Sequence, residues 1–148
     1  MVASPAEPAG LVVVTGPSRS GKSRWAEHLA ALHPGPVLYL ATGQPPGEDE
    51  RWAQRIRDHQ DRRPSGWQTL EVGADLTAAL SALTPSADGQ EPRLLLIDAL
   101  GTWLAQHLEA SAEQWQDCST ALLNQLQQQH EPVILVMEGV GWGVVPAT

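Results

Sequence analysis

Gly16-Pro17-Ser18-Arg19-Ser20-Gly21-Lys22-Ser23 fits the pattern G-x-x-x-x-G-K-[ST]. In such a loop the backbone N–H groups point inward and bind phosphate oxygens. The N-terminus of the helix that follows adds a positive dipole end. Lys22 reaches the β- and γ-phosphates, and the Ser23 hydroxyl can ligate Mg²⁺. Lys22 is the single lysine of the chain; the other eight basic residues are arginines. Pro17 departs from the ideal loop because it removes one N–H donor. A chance glycine-rich turn is the bland alternative, but the flanking strand and helix patterns speak against it.

Asp98 closes the apolar run 94–97. A carboxylate at that place in a P-loop protein holds Mg²⁺ directly or through water; a helix cap after a strand is the competing reading. His59 lies in a charged stretch, with Arg55 four residues before it and Arg62 and Arg63 three and four after. On a helix all of them share its face. Such a cluster suits the phosphates of a second nucleotide or of a reaction intermediate, whereas a solvated face balanced by Asp58 and Asp61 is the alternative. His28, His33, His107 and His130 show no zinc-site spacing. The last three read as caps or solvated side chains near helix ends.

These residues need elements to hold them. Leu11-Val12-Val13-Val14, Val37 to Ala41, Leu94 to Ile97 and Val133 to Val136 are apolar runs of the kind buried in parallel sheets. Residues 67–72 alternate like a strand exposed on one side. Helices are expected over about 23–32, with Trp25, Leu29 and Leu32 on one stripe, and over about 49–62, with Trp52 and Ile56 as apolar contacts. A short helix capped by Asp75 is expected to run through Leu83, and another segment over 101–108. Ser111 with Gln114 is a capping-box pair opening a longer helix that carries Trp115, Cys118, Leu122 and Leu126. Alternation of this kind specifies a three-layer α/β domain with a mostly parallel sheet.

Length and composition agree. A chain of 148 residues makes one domain able to bury a core. Its net charge of −8 argues against a nucleic-acid binder. Cys118 is the sole cysteine, which precludes an internal disulfide or a cysteine zinc site and fits a reducing cytoplasm. No apolar run approaches the ~20 residues of a membrane span. The opening MVASPAEPAG has neither a basic n-region nor an apolar h-region. Residues 1–10 are therefore expected to be a disordered tail, and 11–148 the domain.

Taken in order, the stretches VTGPSRSGKSRWAE, YLATG, ERWAQRIRDHQDRRP, WQTLEV, LLLIDALGTWL and VILVMEGVGWGVVP resemble the bifunctional adenosylcobinamide kinase / adenosylcobinamide-phosphate guanylyltransferase family of cobalamin biosynthesis. The R-I-x-x-H-x-x-x-R segment, the W-x-T-x-E that follows it and the final G-W-G-V-V-P carry most of the specificity.

The lone cysteine leads us to expect a cytoplasmic enzyme, and the resemblance implies a RecA-like P-loop NTPase fold and a homotrimer. It implies that ATP or GTP phosphorylates the hydroxyl of adenosylcobinamide, after which GMP passes from GTP to that phosphate by way of a histidine-bound GMP. His59 matches the acceptor histidine and Lys22 the phosphate-loop lysine. Gly16, Pro17, Ser18, Arg19, Ser20, Gly21, Lys22, Ser23, Ala41, Thr42, Gly43, Gln60, Asp61, Arg62, Arg63, Glu71 and Asp98 would contact nucleotide, and Ser23 and Asp98 would hold Mg²⁺. Glu71 suits guanine, since a carboxylate accepts two N–H groups.

Two departures stand out. Gly139 replaces an acid of the family pattern. Family members also continue past G-V-V-P into a helix and an edge strand, so an exposed apolar edge is expected here. Two other readings stand beside this one. A P-loop kinase of another small molecule would have no use for the His59 cluster or Glu71. A nucleotide-binding remnant without turnover is the reading that the short C-terminal end favours.

Overall fold

The computed structural model describes residues 10–17, 20–43, 50–86 and 89–138, with every side chain among them except those of Trp52, Ile56, His59, Gln60 and Arg62. Most of the expected tail, Ser18 and Arg19 of the loop, Gly139 and the G-W-G-V-V-P run lie outside the described residues.

Five strands form one sheet: β1 (Leu11–Gly16), β2 (Val37–Ala41), β3 (Gln68–Glu71), β4 (Leu94–Asp98) and β5 (Val133–Glu138). Their order is β1-β5-β4-β2-β3, and every pair is parallel. The apolar runs of β2, β4 and β5 take the inner places, whereas Leu11 to Val14, equally free of polar residues, forms the outer strand β1; its expected burial on both faces is corrected, since Leu11 and Val13 are exposed there. Leu94 to Ile97 and Val133 to Val136 are buried without interruption, because parallel strands are covered on both faces. Each fully buried leucine or isoleucine contributes on the order of 2 kcal/mol. Among the described residues β3 pairs only with β2, and all four of its residues are exposed. The expectation of one buried face over 67–72 is thus corrected for Gln68 to Glu71, while the flanking Trp67 and Val72 pack against the core.

Helices α1 (Lys22–Ala31), α2 (Glu50–Arg62), α3 (Leu76–Ala82), α4 (Leu100–Ala105) and α5 (Ala112–Gln128) connect the strands. α1 lies across β1, β5 and β4 on one face. It presents Ala26, Leu29 and Ala30 to the sheet and leaves Trp25 half exposed, stacked on His28. Of the expected Trp25–Leu29–Leu32 stripe, Leu29 and Leu32 do pack on the sheet, and Trp25 does not. Two alanines let the helix sit close to the sheet, where an indole would hold it off. On the other face, α3, α4 and α5 cover Leu38, Leu40, Leu95, Ile97, Val133 and Leu135.

The α5 capping box is complete: Ser111 Oγ accepts from Gln114 N at 3.1 Å, and Gln114 Oε1 accepts from Ser111 N at 2.9 Å. Trp115, Cys118, Leu122 and Leu126 all pack inward from this helix. Asp75 stands at the N-cap of α3 but makes no capping bond. It ends a 3-10 turn over Gly73–Asp75 that leads directly into the helix. Two of the histidines taken for caps or solvated groups also differ. His33 Nε2 lies 2.6 Å from the Pro92 carbonyl, and His107 packs against Trp103 with ring centroids 4.7 Å apart.

At the amino ends of β4 and β5 a half-buried ion pair ties the layers together. Arg93 Nε donates to Glu131 Oε2 at 3.0 Å, and Arg93 Nη2 donates to the Thr84 carbonyl at 2.8 Å. Ser86 Oγ completes the acid's bonding at 3.0 Å.

Candidate functional site

All five strands run the same way, so their carboxyl ends meet at one edge of the sheet. Ligands of open α/β sheets bind there. Glu71, Ala41 and Asp98 lie in one register row at the ends of β3, β2 and β4. Gly16 and Glu138 pair at the ends of β1 and β5.

The phosphate loop leaves β1 at Gly16, which is buried. A Cβ there would stand 2.6 Å from Ser20 Oγ, so only glycine allows this turn without displacing Ser20. Ser20 N donates to the Pro17 carbonyl at 3.3 Å. Gly21 adopts φ +83°, in the left-handed region that favours glycine, and turns the chain into α1. Lys22 opens that helix, and its Nζ donates to the Pro17 carbonyl at 3.2 Å. The ammonium thus closes over the loop from an exposed position. Ser23, next along, donates from Oγ to Asp98 Oδ1 at 3.4 Å. α1 spans β1, β5 and β4, and this carries the loop's serine to the acid at the end of β4. Two oxygen donors, one of them anionic, fit the preference of Mg²⁺ for hard ligands.

Asp98 has a second partner that the sequence reading missed. Tyr39, buried in β2, donates its hydroxyl to Asp98 Oδ2. Burial first, and then the neighbouring carboxylate, hold this phenol well above the ordinary tyrosine value, so it serves as a protonated donor. The Arg63 guanidinium lies 3.5 Å above the Tyr39 ring centroid. Arg63 Nη1 also donates to Thr69 Oγ1 at 3.3 Å.

Arg63 was expected on the His59 face, but α2 ends at Arg62 and the next residue turns back onto the sheet. The cause is Pro64, which disfavours helical backbone in the residue before it. Within α2, Gln54 Nε2 donates to Asp58 Oδ1 and accepts from Arg57 through Oε1, both at 2.8 Å. Asp61 is exposed. His59, Gln60 and Arg62 lie in the same helix, and their side chains are outside the described set.

The β2 loop begins with Thr42, which is fully buried. Its hydroxyl accepts from Ala99 N at 2.8 Å and lies 2.5 Å from both the Ala99 carbonyl and Thr102 Oγ1. Its amide donates to the Asp98 carbonyl at 3.1 Å, and its carbonyl accepts from Gln106 Nε2 at 2.7 Å. Every polar group of Thr42 is therefore engaged in tying the ends of β2 and β4 to α4. Ala41 and Gly43, on either side, remain partly exposed at the edge. Glu71 is exposed at the tip of β3. Glu138 has its carboxylate against Gly101, where a Cβ would stand 2.5 Å from Oε2.

A parallel sheet with this loop after its first strand and an acid facing the loop serine after β4 defines a P-loop NTPase domain. The chain belongs to the cobinamide kinase / cobinamide phosphate guanyltransferase family, CobU, which it matches over residues 12–148. It is thereby an enzyme of the transferase class, a cobinamide kinase and cobinamide-phosphate guanylyltransferase by family. Over 135 residues it is 39% identical to the bifunctional adenosylcobalamin biosynthesis protein CobP of Pseudomonas aeruginosa, covering 90% of this chain and 74% of that protein. Over 150 residues it is 34% identical to the bifunctional adenosylcobalamin biosynthesis protein CobU of Salmonella typhimurium, covering 92% of this chain and 78% of the relative. Among the described residues no helix is long and apolar enough to cross a membrane.

Proposed function

We propose that the chain phosphorylates the hydroxyl of adenosylcobinamide and then transfers GMP from GTP to the resulting phosphate. The observation that carries this reading is the meeting of Ser23 with Asp98 beside the phosphate loop, in a chain of this family. The loop amides and Lys22 bind the triphosphate of the donor. Ser23 and Asp98 would hold Mg²⁺, which supplies charge neutralisation on the phosphates.

His59 carries the second reaction. A neutral imidazole nitrogen forms a bond to the α-phosphorus of GTP, while the bond to the bridging oxygen breaks and pyrophosphate leaves. A phosphate oxygen of adenosylcobinamide phosphate then attacks that phosphorus, and the imidazole departs. The arginines of α2 offset charge that develops on the transferring group. Glu71, at the exposed tip of β3, accepts guanine N–H groups, and Ala41, Gly43, Gln60 and Asp61 complete the nucleotide contacts. A homotrimer is the assembly we propose for it.

Incubation with GTP and Mg²⁺, followed by mass spectrometry, tests the reading. One GMP should appear on His59, acid-labile and alkali-stable as a phosphoramidate is, and His59→Ala should abolish it while nucleotide still binds the phosphate loop. An adduct that persists in His59→Ala, or maps to His28 or Lys22, overturns the assignment.

A further inference from the structure

We propose that Tyr39 is a positioning residue for the kinase half of the site: its hydroxyl fixes the Asp98 carboxylate so that the other oxygen faces Ser23. This rests on the function proposed above and adds to it a residue outside the phosphate loop.

The argument is geometric. Asp98 ends β4, and its carboxylate could rotate about two side-chain torsions. Ser23 engages Oδ1 and Tyr39 engages Oδ2, so each oxygen has a separate partner and the rotation is stopped. Tyr39 itself has nowhere to go. It is 2% exposed, in a strand paired on both sides, and packs in the core beneath α1. Its ring is covered by the Arg63 guanidinium, which Thr69 of β3 holds in turn. A carboxylate that ligates a metal is commonly oriented by such an outer partner, and loss of that partner typically costs about 10–100-fold in metal affinity or activity.

Tyr39→Phe keeps the ring, the packing and the seat for Arg63, and removes only the donor. ATP binding is measured by calorimetry with Mg²⁺ and with a chelator in its place. The unmodified chain should bind MgATP more tightly than free ATP. In Tyr39→Phe free ATP should bind as before, while the gain from Mg²⁺ should shrink about 10–100-fold. The Mg²⁺ concentration that half-activates phosphoryl transfer should rise in step. An unchanged Mg²⁺ gain in Tyr39→Phe overturns the proposal and leaves the proposed function standing. Failure of the unmodified chain to bind MgATP overturns both.

A second measurement needs no folded variant at position 39. Tyr39 is the only tyrosine of the chain, so ¹³Cζ-tyrosine labelling yields a single resonance. Addition of Mg²⁺ to the ATP-bound protein should move that resonance, and Asp98→Asn should abolish the shift. A resonance indifferent to Mg²⁺, or one that still shifts in Asp98→Asn, counts against the assignment.

Discussion

Ser23 Oγ and Asp98 Oδ1 stand 3.4 Å apart although 75 positions separate the two residues in the chain. The contact joins the first turn of α1 to the end of β4, and α1 reaches it only by lying across β5. Asp98→Asn keeps the size of the side chain and removes its charge. Binding of MgATP should weaken at least about tenfold, or ~1.4 kcal/mol, and binding of metal-free ATP should not weaken. Calorimetry with and without Mg²⁺ decides it; equal losses under both conditions would point to a packing role for the acid.

Lys22→Ala removes the one ammonium at the phosphate loop and leaves the Gly21 turn and the Ser20–Pro17 bond in place. MgATP and MgGTP should both bind severely less well, with little change in melting temperature because the lost bond to Pro17 is exposed. Titration curves identical to those of the unmodified chain would sink the P-loop assignment.

Thr42→Val is nearly isosteric, but it leaves the buried Ala99 amide without its acceptor. An unsatisfied buried donor costs about 1–3 kcal/mol. Urea unfolding should show that loss as a lower midpoint at unchanged slope. A variant as stable as the parent would mean that α4 can shift to repair the gap.

Glu131→Ala strands Arg93 at the opposite edge of the sheet. Removal of one partner of a buried pair costs about 3 kcal/mol at the low end, and the low end applies here because Arg93 is 21% exposed. Thermal unfolding should shift down, while nucleotide binding below the transition should be retained. A lost affinity at low temperature would show that the two edges are coupled.

The parts legible in the sequence are those set by local pattern. Leu94 to Ile97 and Val133 to Val136 announce parallel strands by having no polar residue, and Ser111 with Gln114 announces a helix start; the same apolar signal in Leu11 to Val14 does not tell that β1 is an outer strand with Leu11 and Val13 exposed. What stayed hidden depends on pairing between distant segments. Nothing in V-L-Y-L-A marks Tyr39 as a hydrogen-bond donor until β2 is placed beside β4, which brings Asp98 within its reach. Trp25 misled because helical period alone cannot say that α1 faces the sheet with Ala26, Leu29 and Ala30 rather than with its indole. Arg63 misled because a face-counting argument runs on past the helix end that Pro64 imposes. The β1-β5-β4-β2-β3 order has no local signal, since every strand flanking the centre is an apolar run of similar length.

The short outer strand has a consequence for how the molecule opens. Among the described residues β3 is hydrogen-bonded on one side only, and none of its four residues is buried. Segments with few buried contacts open at a small fraction of the global unfolding free energy. Amide protons of Thr69 and Leu70 should therefore exchange with solvent long before those of Leu96 or Ile134. Glu71 and the Thr69 anchor of Arg63 ride on that strand, whereas Ser23 and Asp98 belong to the slow-exchanging centre. If Glu71 reads guanine as proposed, transient fraying would interrupt that reading while the phosphate loop stays formed, so that selectivity for guanine should soften on gentle warming before affinity for phosphate does.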